Sequence, residues 1–149
     1  MFPLPDPMTR ALAAARTAAA EGEVPVGAAL VRDGVVIALA ANAPRLLNDP
    51  TAHAEIRAIR AGAQTLGRDR LEDCDLWVTL EPCAMCAGAI AHARIRRLYY
   101  GASDSKGGAV EHGPRFFAQP TCHHRPEVYG GIGEAEAAAL LRRFFQDRR

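Results

Sequence analysis

His53 and Glu55 stand two residues apart in "TAHAEIRAI", and Cys83 and Cys86 stand three apart behind Pro82 in "LEPCAMCAG". Two thiolates and one imidazole are three soft or borderline ligands, a set that suits zinc in a tetrahedral site. In the first turn of a helix, positions i and i+3 point both sulfurs to one side, and the partial positive charge of a helix N-terminus favours thiolates. A CxxC pair alone also fits redox chemistry or coincidence. His53 turns the reading toward metal.

The fourth ligand decides between a structural and a catalytic site. A structural zinc closes with a fourth Cys or His, whereas a catalytic one leaves that position to water. Cys74, His92, His112, Cys122, His123 and His124 are the residues that could close it. The run Cys122-His123-His124 reads poorly as a second metal cluster, because neighbouring side chains in an extended loop diverge. His92, near the end of the cysteine-bearing helix, reads as a C-terminal residue favoured by the helix dipole, and His112 as a polar loop residue.

Glu55 is the residue that would make such a site catalytic. A metal-activated water needs a base within hydrogen-bond reach to become a useful nucleophile, and a carboxylate supplies one. On a regular helix, positions i and i+2 diverge by about 200°. His53 and Glu55 therefore serve one site only at a helix start, where their side chains approach by different routes. The competing reading of Glu55 is a solvent-facing first-turn carboxylate stabilised by the dipole.

The elements that must hold these residues follow from periodicity and turn chemistry. Leu12, Ala15 and Ala19 mark an amphipathic helix from Thr9 to Glu21 that closes at Gly22. Asp33-Gly34 between two β-rich runs predicts a hairpin, both residues tolerating positive φ. After the loop "NAPRLLNDPT", a second helix is expected from Ala52 to Leu66, with Ile56, Ile59 and Ala63 along one face and His53 and Glu55 in its first turn. "DLWVTL" is a strand, a third helix runs from Cys83 to His92, and "RRLYYGA" is another strand. The Gly-, Pro-, Ser- and His-rich segment from Ser103 to Arg125 reads as a functional loop with one helical turn near Phe116. "EVYGG" gives a short strand, and a C-terminal helix from Glu134 turns Ala137, Leu140, Leu141, Phe144 and Phe145 inward. Strands alternating with helices after an initial hairpin imply an α/β fold, a three-layer α/β/α sandwich on a mixed five-stranded sheet, with ligand sites at the strand-to-helix junctions.

Composition sets outer bounds. With 149 residues, 49% hydrophobic and 23% charged, the chain suits a single domain (1–149, residues 1–7 disordered) rather than an unfolded segment. The prolines at 3, 5 and 7 and the lack of a long apolar run argue against a signal peptide or membrane span, so a cytoplasmic protein with reduced cysteines is expected. A net charge of +1 argues against indiscriminate nucleic-acid binding, but seventeen of the eighteen basic residues are arginine, whose planar fork pairs with phosphate.

"HAE" followed by "PCAMC" resembles the signature of the zinc-dependent cytidine and nucleobase deaminases. "EVPVGAALV", "NDPTAHAEIRAIR", "LWVTLEPCAMCAGAI", "ARIRRLYYGASDSKGGA", "HHR" and "LLRRFFQDRR" extend the likeness, from about residue 8 to the end, to the bacterial tRNA-specific adenosine deaminase branch of that superfamily. This resemblance implies a cytidine deaminase-like fold and hydrolytic deamination of adenosine to inosine at the wobble position of a tRNA anticodon stem-loop. It implies one zinc per chain on His53, Cys83 and Cys86, with Glu55 as proton shuttle to the purine and then to the leaving amine. It assigns Asn42 to the flipped base, Ala54 to substrate binding, and Asp104, Lys106, His124, Phe145, Arg148 and Arg149 to the RNA. Phe144 belongs to the same C-terminal pattern, but adjacent helical positions cannot both face the RNA, so one of the two phenylalanines is core. A homodimer is implied as well. Two other functions remain compatible with the same motifs: a free guanine or cytosine deaminase, which would need a lid, and a non-catalytic zinc-stabilised RNA-binding module, which would need a fourth protein ligand.

Overall fold

A computed structural model describes residues 3–148. Helix α1 (Asp6–Ala20) precedes an antiparallel hairpin of β1 (Gly27–Arg32) and β2 (Val35–Ala41). There follow a short α2 (Pro44–Leu47), α3 (Ala54–Leu66), β3 (Cys74–Leu80), α4 (Ala84–Ala93), β4 (Arg97–Ala102), a single 3-10 turn (Phe116–Ala118), β5 (Glu127–Tyr129) and α5 (Glu134–Gln146). The strands lie in the order β2-β1-β3-β4-β5. Pairing is antiparallel from β2 through β3 and parallel from β3 through β5. With α1 and α5 on one face and α3 and α4 on the other, this is the expected mixed five-stranded three-layer sandwich.

The hairpin turn matches its sequence signal, since Asp33 and Gly34 have φ of 51° and 76°, the doubly positive pattern of a two-residue turn that follows the strand twist. Beyond it β2 carries an irregularity, Leu30 pairing with Ala38 while Val31 pairs with Val36. Gly27 brings β1 against α1 so closely that a Cβ there would lie 1.9 Å from the Ala11 carbonyl oxygen. The sheet face toward α3 and α4 carries the larger core, with Leu30, Leu76, Val78, Ile90, Leu98 and Tyr100 at its centre.

Five expectations need correction. Helix α1 begins at Asp6, not Thr9, because Pro7 fits a first helical turn. Residues 6 and 7 are therefore helical rather than disordered, and Leu4 packs beneath the helix with Met8 and Leu12; residues 1 and 2 lie outside the described residues. Helix α3 begins at Ala54, not Ala52, with His53 extended ahead of it. Its buried residues are Ala54, Glu55, Ala58 and Gly62, so Ile56 and Ile59 are only partly covered. Close approach explains this: a Cβ at Gly62 would lie 2.1 Å from Leu30 Cδ2, leaving no room for larger side chains against the sheet. Finally, the loop expected after β2 contains α2, which the local sequence does not announce.

Candidate active site

Two helix N-termini converge on the site. His53 is the extended N-cap of α3 (φ −69°, ψ 152°) and Cys83 that of α4 (φ −74°, ψ 177°). Glu55 and Cys86 follow in the respective first turns. The short H-x-E spacing is thereby explained: His53 departs from extended backbone and Glu55 from helical backbone, so the two side chains are not bound by the 200° divergence of a continuous helix. Cys83 likewise sits one residue ahead of the helix rather than inside it.

His53 Nδ1 lies 3.6 Å from Cys83 Sγ and 3.4 Å from Cys86 Sγ. The three ligand atoms lie within 4.8 Å of one another. Zn–S and Zn–N bonds of about 2.3 and 2.0 Å give a tetrahedral S···N edge of about 3.5 Å, so these donors fit one zinc ion by geometry as well as by type. Among the described residues, no further His, Cys, Asp or Glu joins the group. Cys74, the first residue of β3, is buried, and its thiol is pushed up to about 11 by that burial and by the neighbouring Asp73. Three protein ligands without a fourth is the pattern of a catalytic rather than a structural zinc site.

The electrostatics agree. A hydrogen bond from the Cys86 thiol, and a second with His53, bring Cys83 down to about 4 against the opposing effect of burial. The same contact, together with burial, holds the Cys86 proton on and moves its thiol upward. The hydrogen bond with Cys83 raises His53 above its ordinary value. Glu55, only 4% exposed, is pushed up to about 7 by burial, with the Cys83 thiolate adding to the shift. A carboxyl group poised near neutrality can take and return a proton without a large driving-force penalty.

His53, Glu55 and Cys83 line one cavity of about 280 Å³ with Val24, Val26 and Leu80 as apolar walls. This is at the small end of the about 300–1,000 Å³ usual for small-molecule sites. Asn42, 8% exposed, contributes the amide closest in kind to a base-reading group, and Pro44 of α2 and the Asp104–Gly107 turn complete the mouth. A second, outer cavity of about 600 Å³ shares Asp104 and Gly107 with the first and adds Lys106, Phe145 and Arg148. The inner cavity thus adjoins a basic and aromatic vestibule at the Asp104–Gly107 turn.

Of the residues expected at the site, all but Arg149 lie among the described residues. Asn42 lines the inner cavity, Asp104 lines both cavities, and Lys106, Phe145 and Arg148 line the outer one. Phe145 is 51% exposed whereas Phe144 is buried, which resolves which of the two phenylalanines is core. The Arg148 guanidinium stacks 3.6 Å above the Phe144 ring. Ala54 is buried in the core and lines neither cavity. His124 is directed elsewhere, its Nε2 2.7 Å from the Ile95 carbonyl oxygen. Arg149 lies outside the described residues. Two residues went unnoticed in the sequence, Glu23 and Glu81, both buried carboxylates. Glu23 accepts hydrogen bonds from the Arg45 and Leu46 amides of α2 at 3.3 and 2.7 Å. For Glu81 the only sequence signal was an acid placed directly before Pro82 and the cysteine pair.

Comparison with known proteins follows the same lines. Residues 5–102 match the family model for the cytidine and deoxycytidylate deaminase zinc-binding region. The chain is 61% identical over 142 residues to the tRNA-specific adenosine deaminase of Agrobacterium fabrum, covering 95% of this chain and 93% of that one. A solved structure from work on A-to-I editing by tRNA:A34 deaminases at the wobble position of transfer RNA is also 61% identical, with a TM-score of 0.90 over 91% of this chain and 98% of that one. Guanine deaminase from Bacillus subtilis is more distant, 35% identical with a TM-score of 0.66, over 83% and 82% of the two chains.

Proposed function

Because the chain belongs to the zinc-binding cytidine and deoxycytidylate deaminase family, in its tRNA-specific adenosine deaminase branch, we propose that it converts adenosine to inosine at the wobble position of a tRNA anticodon. The observation that carries this reading is the adjacency of two cavities: a pocket lined by His53, Glu55 and Cys83 shares Asp104 and Gly107 with a vestibule that adds Lys106, Phe145 and Arg148. An exposed aromatic ring with cationic neighbours suits a splayed, single-stranded loop.

His53, Cys83 and Cys86 would hold the zinc ion, which when bound would supply the Lewis acidity that makes water nucleophilic near neutral pH. Glu55 takes a proton from the attacking water and delivers it to N1 of the flipped adenine, which makes C6 electrophilic. The water oxygen adds to C6, and the carbon–nitrogen bond to the exocyclic amine breaks as Glu55 relays the second proton to it. The balance is adenosine plus water to inosine plus ammonia, with Glu55 restored. Asn42 both donates and accepts, so its amide can hold a purine edge in register. Val24, Val26 and Leu80 keep bulk water from the reacting carbon.

Residues 3–148 form one deaminase domain in this reading, and its tRNA substrate places it in the cytoplasm. Among the described residues, no helix is long and apolar enough to cross a membrane. A homodimer is the expected assembly. The half-covered Ile56 and Ile59 line a groove of about 540 Å³ together with Arg60, Asp69 and His92, a mixed face that a second copy would cover, and a monomeric mass in solution at assay concentration would contradict it. The free-base alternative is what the guanine deaminase likeness would favour, but the open vestibule argues for a polymer. Incubating the zinc-loaded protein with an anticodon hairpin bearing the wobble adenosine, beside free guanine, cytosine and adenosine, decides the matter. Turnover of a free base with none of the hairpin would refute the proposal.

A further inference from the structure

Glu81 follows the last residue of β3 and precedes Pro82 and Cys83. Its side chain is completely shielded from solvent, yet it is not an isolated charge. Oε1 accepts from the Asp104 amide at 3.0 Å and lies 2.8 Å from His112 Nδ1. Oε2 accepts from the amides of Val110, Glu111 and His112 at 3.2, 3.0 and 3.2 Å. An ionised carboxylate offers about four lone-pair positions and no donor, so five partners saturate it. That saturation removes it from proton-transfer chemistry and makes it an anchor.

The anchored segment is the one that needs anchoring. Residues 104–112 contain neither helix nor strand, and Asp104 spends its Oδ1 on the amides of Lys106 and Gly107 within its own turn, at 3.1 and 2.9 Å. That turn supplies Asp104 and Gly107 to the inner cavity and Lys106 to the vestibule. The main chain adds a second tie, Ala109 N–H to the Pro82 carbonyl at 2.9 Å. One tripeptide, Glu81-Pro82-Cys83, therefore fixes a metal ligand on one side and the substrate-facing wall on the other. Gly108 completes the fit, since a Cβ there would lie 2.6 Å from both Cδ and Oε2 of Glu81.

We propose that Glu81 is a positioning residue that sets the distance between the metal ligands and the 104–112 wall, and thereby governs how tightly the RNA substrate is held. The inference rests on the tRNA deaminase reading for its substrate, though not for its geometry. Replacing Glu81 by Gln converts one acceptor oxygen into a donor that faces N–H groups, which leaves at least the Asp104 amide without its partner.

Glu81→Gln and His112→Ala are compared with the parent as full chains, zinc-loaded, by hydrogen exchange and by steady-state kinetics on the anticodon hairpin. The expected result for Glu81→Gln is about tenfold faster exchange at residues 104–112, with residues 84–87 of α4 unchanged. KM for the hairpin rises about tenfold while kcat per bound zinc changes less than about threefold, the pattern of lost ground-state binding. His112→Ala removes a single, partly exposed donor and should move exchange and KM the same way by about threefold. It also decides the question if Glu81→Gln fails to fold or to hold zinc. Unchanged exchange across 104–112, or a fall in kcat per zinc at constant KM, overturns the proposal. A parent chain that makes no inosine refutes the substrate reading instead, and the exchange data still judge Glu81.

Discussion

Glu55 should weaken the fold it sits in, and the size of that penalty follows from its surroundings. The carboxyl group is 4% exposed and pushed by burial from 4.5 to about 7. At 1.36 kcal/mol per pH unit, the ionised form costs the metal-stripped folded state about 3 kcal/mol relative to the unfolded chain. The sign runs one way: the folded state holds its proton more tightly, so stability is full below about pH 4.5 and is lost as pH rises through 7. Glu55→Gln keeps the shape without the charge. Stripped of metal by a chelator, the Gln variant should be about 3 kcal/mol more stable than the parent at pH 8 and less than about 1 kcal/mol more stable at pH 5. For a chain of this length that corresponds to a melting difference of about 10 °C at pH 8. Urea titrations of both stripped proteins from pH 5 to pH 8, with linear extrapolation, measure it. A Gln variant no more stable than the parent at pH 8, or a gap independent of pH, would refute the claim that burial holds Glu55 near neutrality.

Three further predictions concern the frame, the rim and a surface clamp. Gly27→Ala forces a methyl group to 1.9 Å from the Ala11 carbonyl and should cost about 3 kcal/mol or more in a urea titration, because α1 backbone cannot yield as a side chain can. Arg148→Ala and Phe145→Ala remove a guanidinium and an exposed aromatic ring from the vestibule; each should raise KM for the hairpin about tenfold, and Arg148→Ala should also flatten the salt dependence of KM. Asp73 accepts from Arg68 and Arg32 at 2.5 and 2.8 Å, and these bonds hold its carboxyl well below the usual range. Its stabilisation is complete above about pH 4 and is lost as pH falls through the depressed folded value, so Asp73→Asn should lower Tm at pH 7 and converge with the parent in acid.

The parts of the molecule legible from sequence were those whose information is local. Asp33-Gly34 specified its own turn, and His53, Cys83 and Cys86 declared a metal group by type and spacing, with Glu55 lining the same cavity. Even there the exact placement needed the fold, since both His53 and Cys83 turned out to be extended N-caps. The rest depended on partners distant in sequence. Helix α2 is capped by Glu23, more than twenty residues earlier. The 104–112 wall is gathered by Glu81, and His124 is drawn to Ile95. The small-residue face of α3 reflects close approach to Leu30, which no helical periodicity of Ile56 and Ile59 could reveal.

The most direct test is a single incubation in water labelled with heavy oxygen, using the anticodon hairpin and the zinc-loaded parent beside its Glu55→Gln variant. Mass analysis of the digested hairpin should find inosine only at the wobble position, with the heavy atom at C6, and adenosine intact in the variant although its zinc content matches the parent. Unlabelled inosine, or equal conversion by the variant, would contradict a hydrolysis in which Glu55 carries the proton.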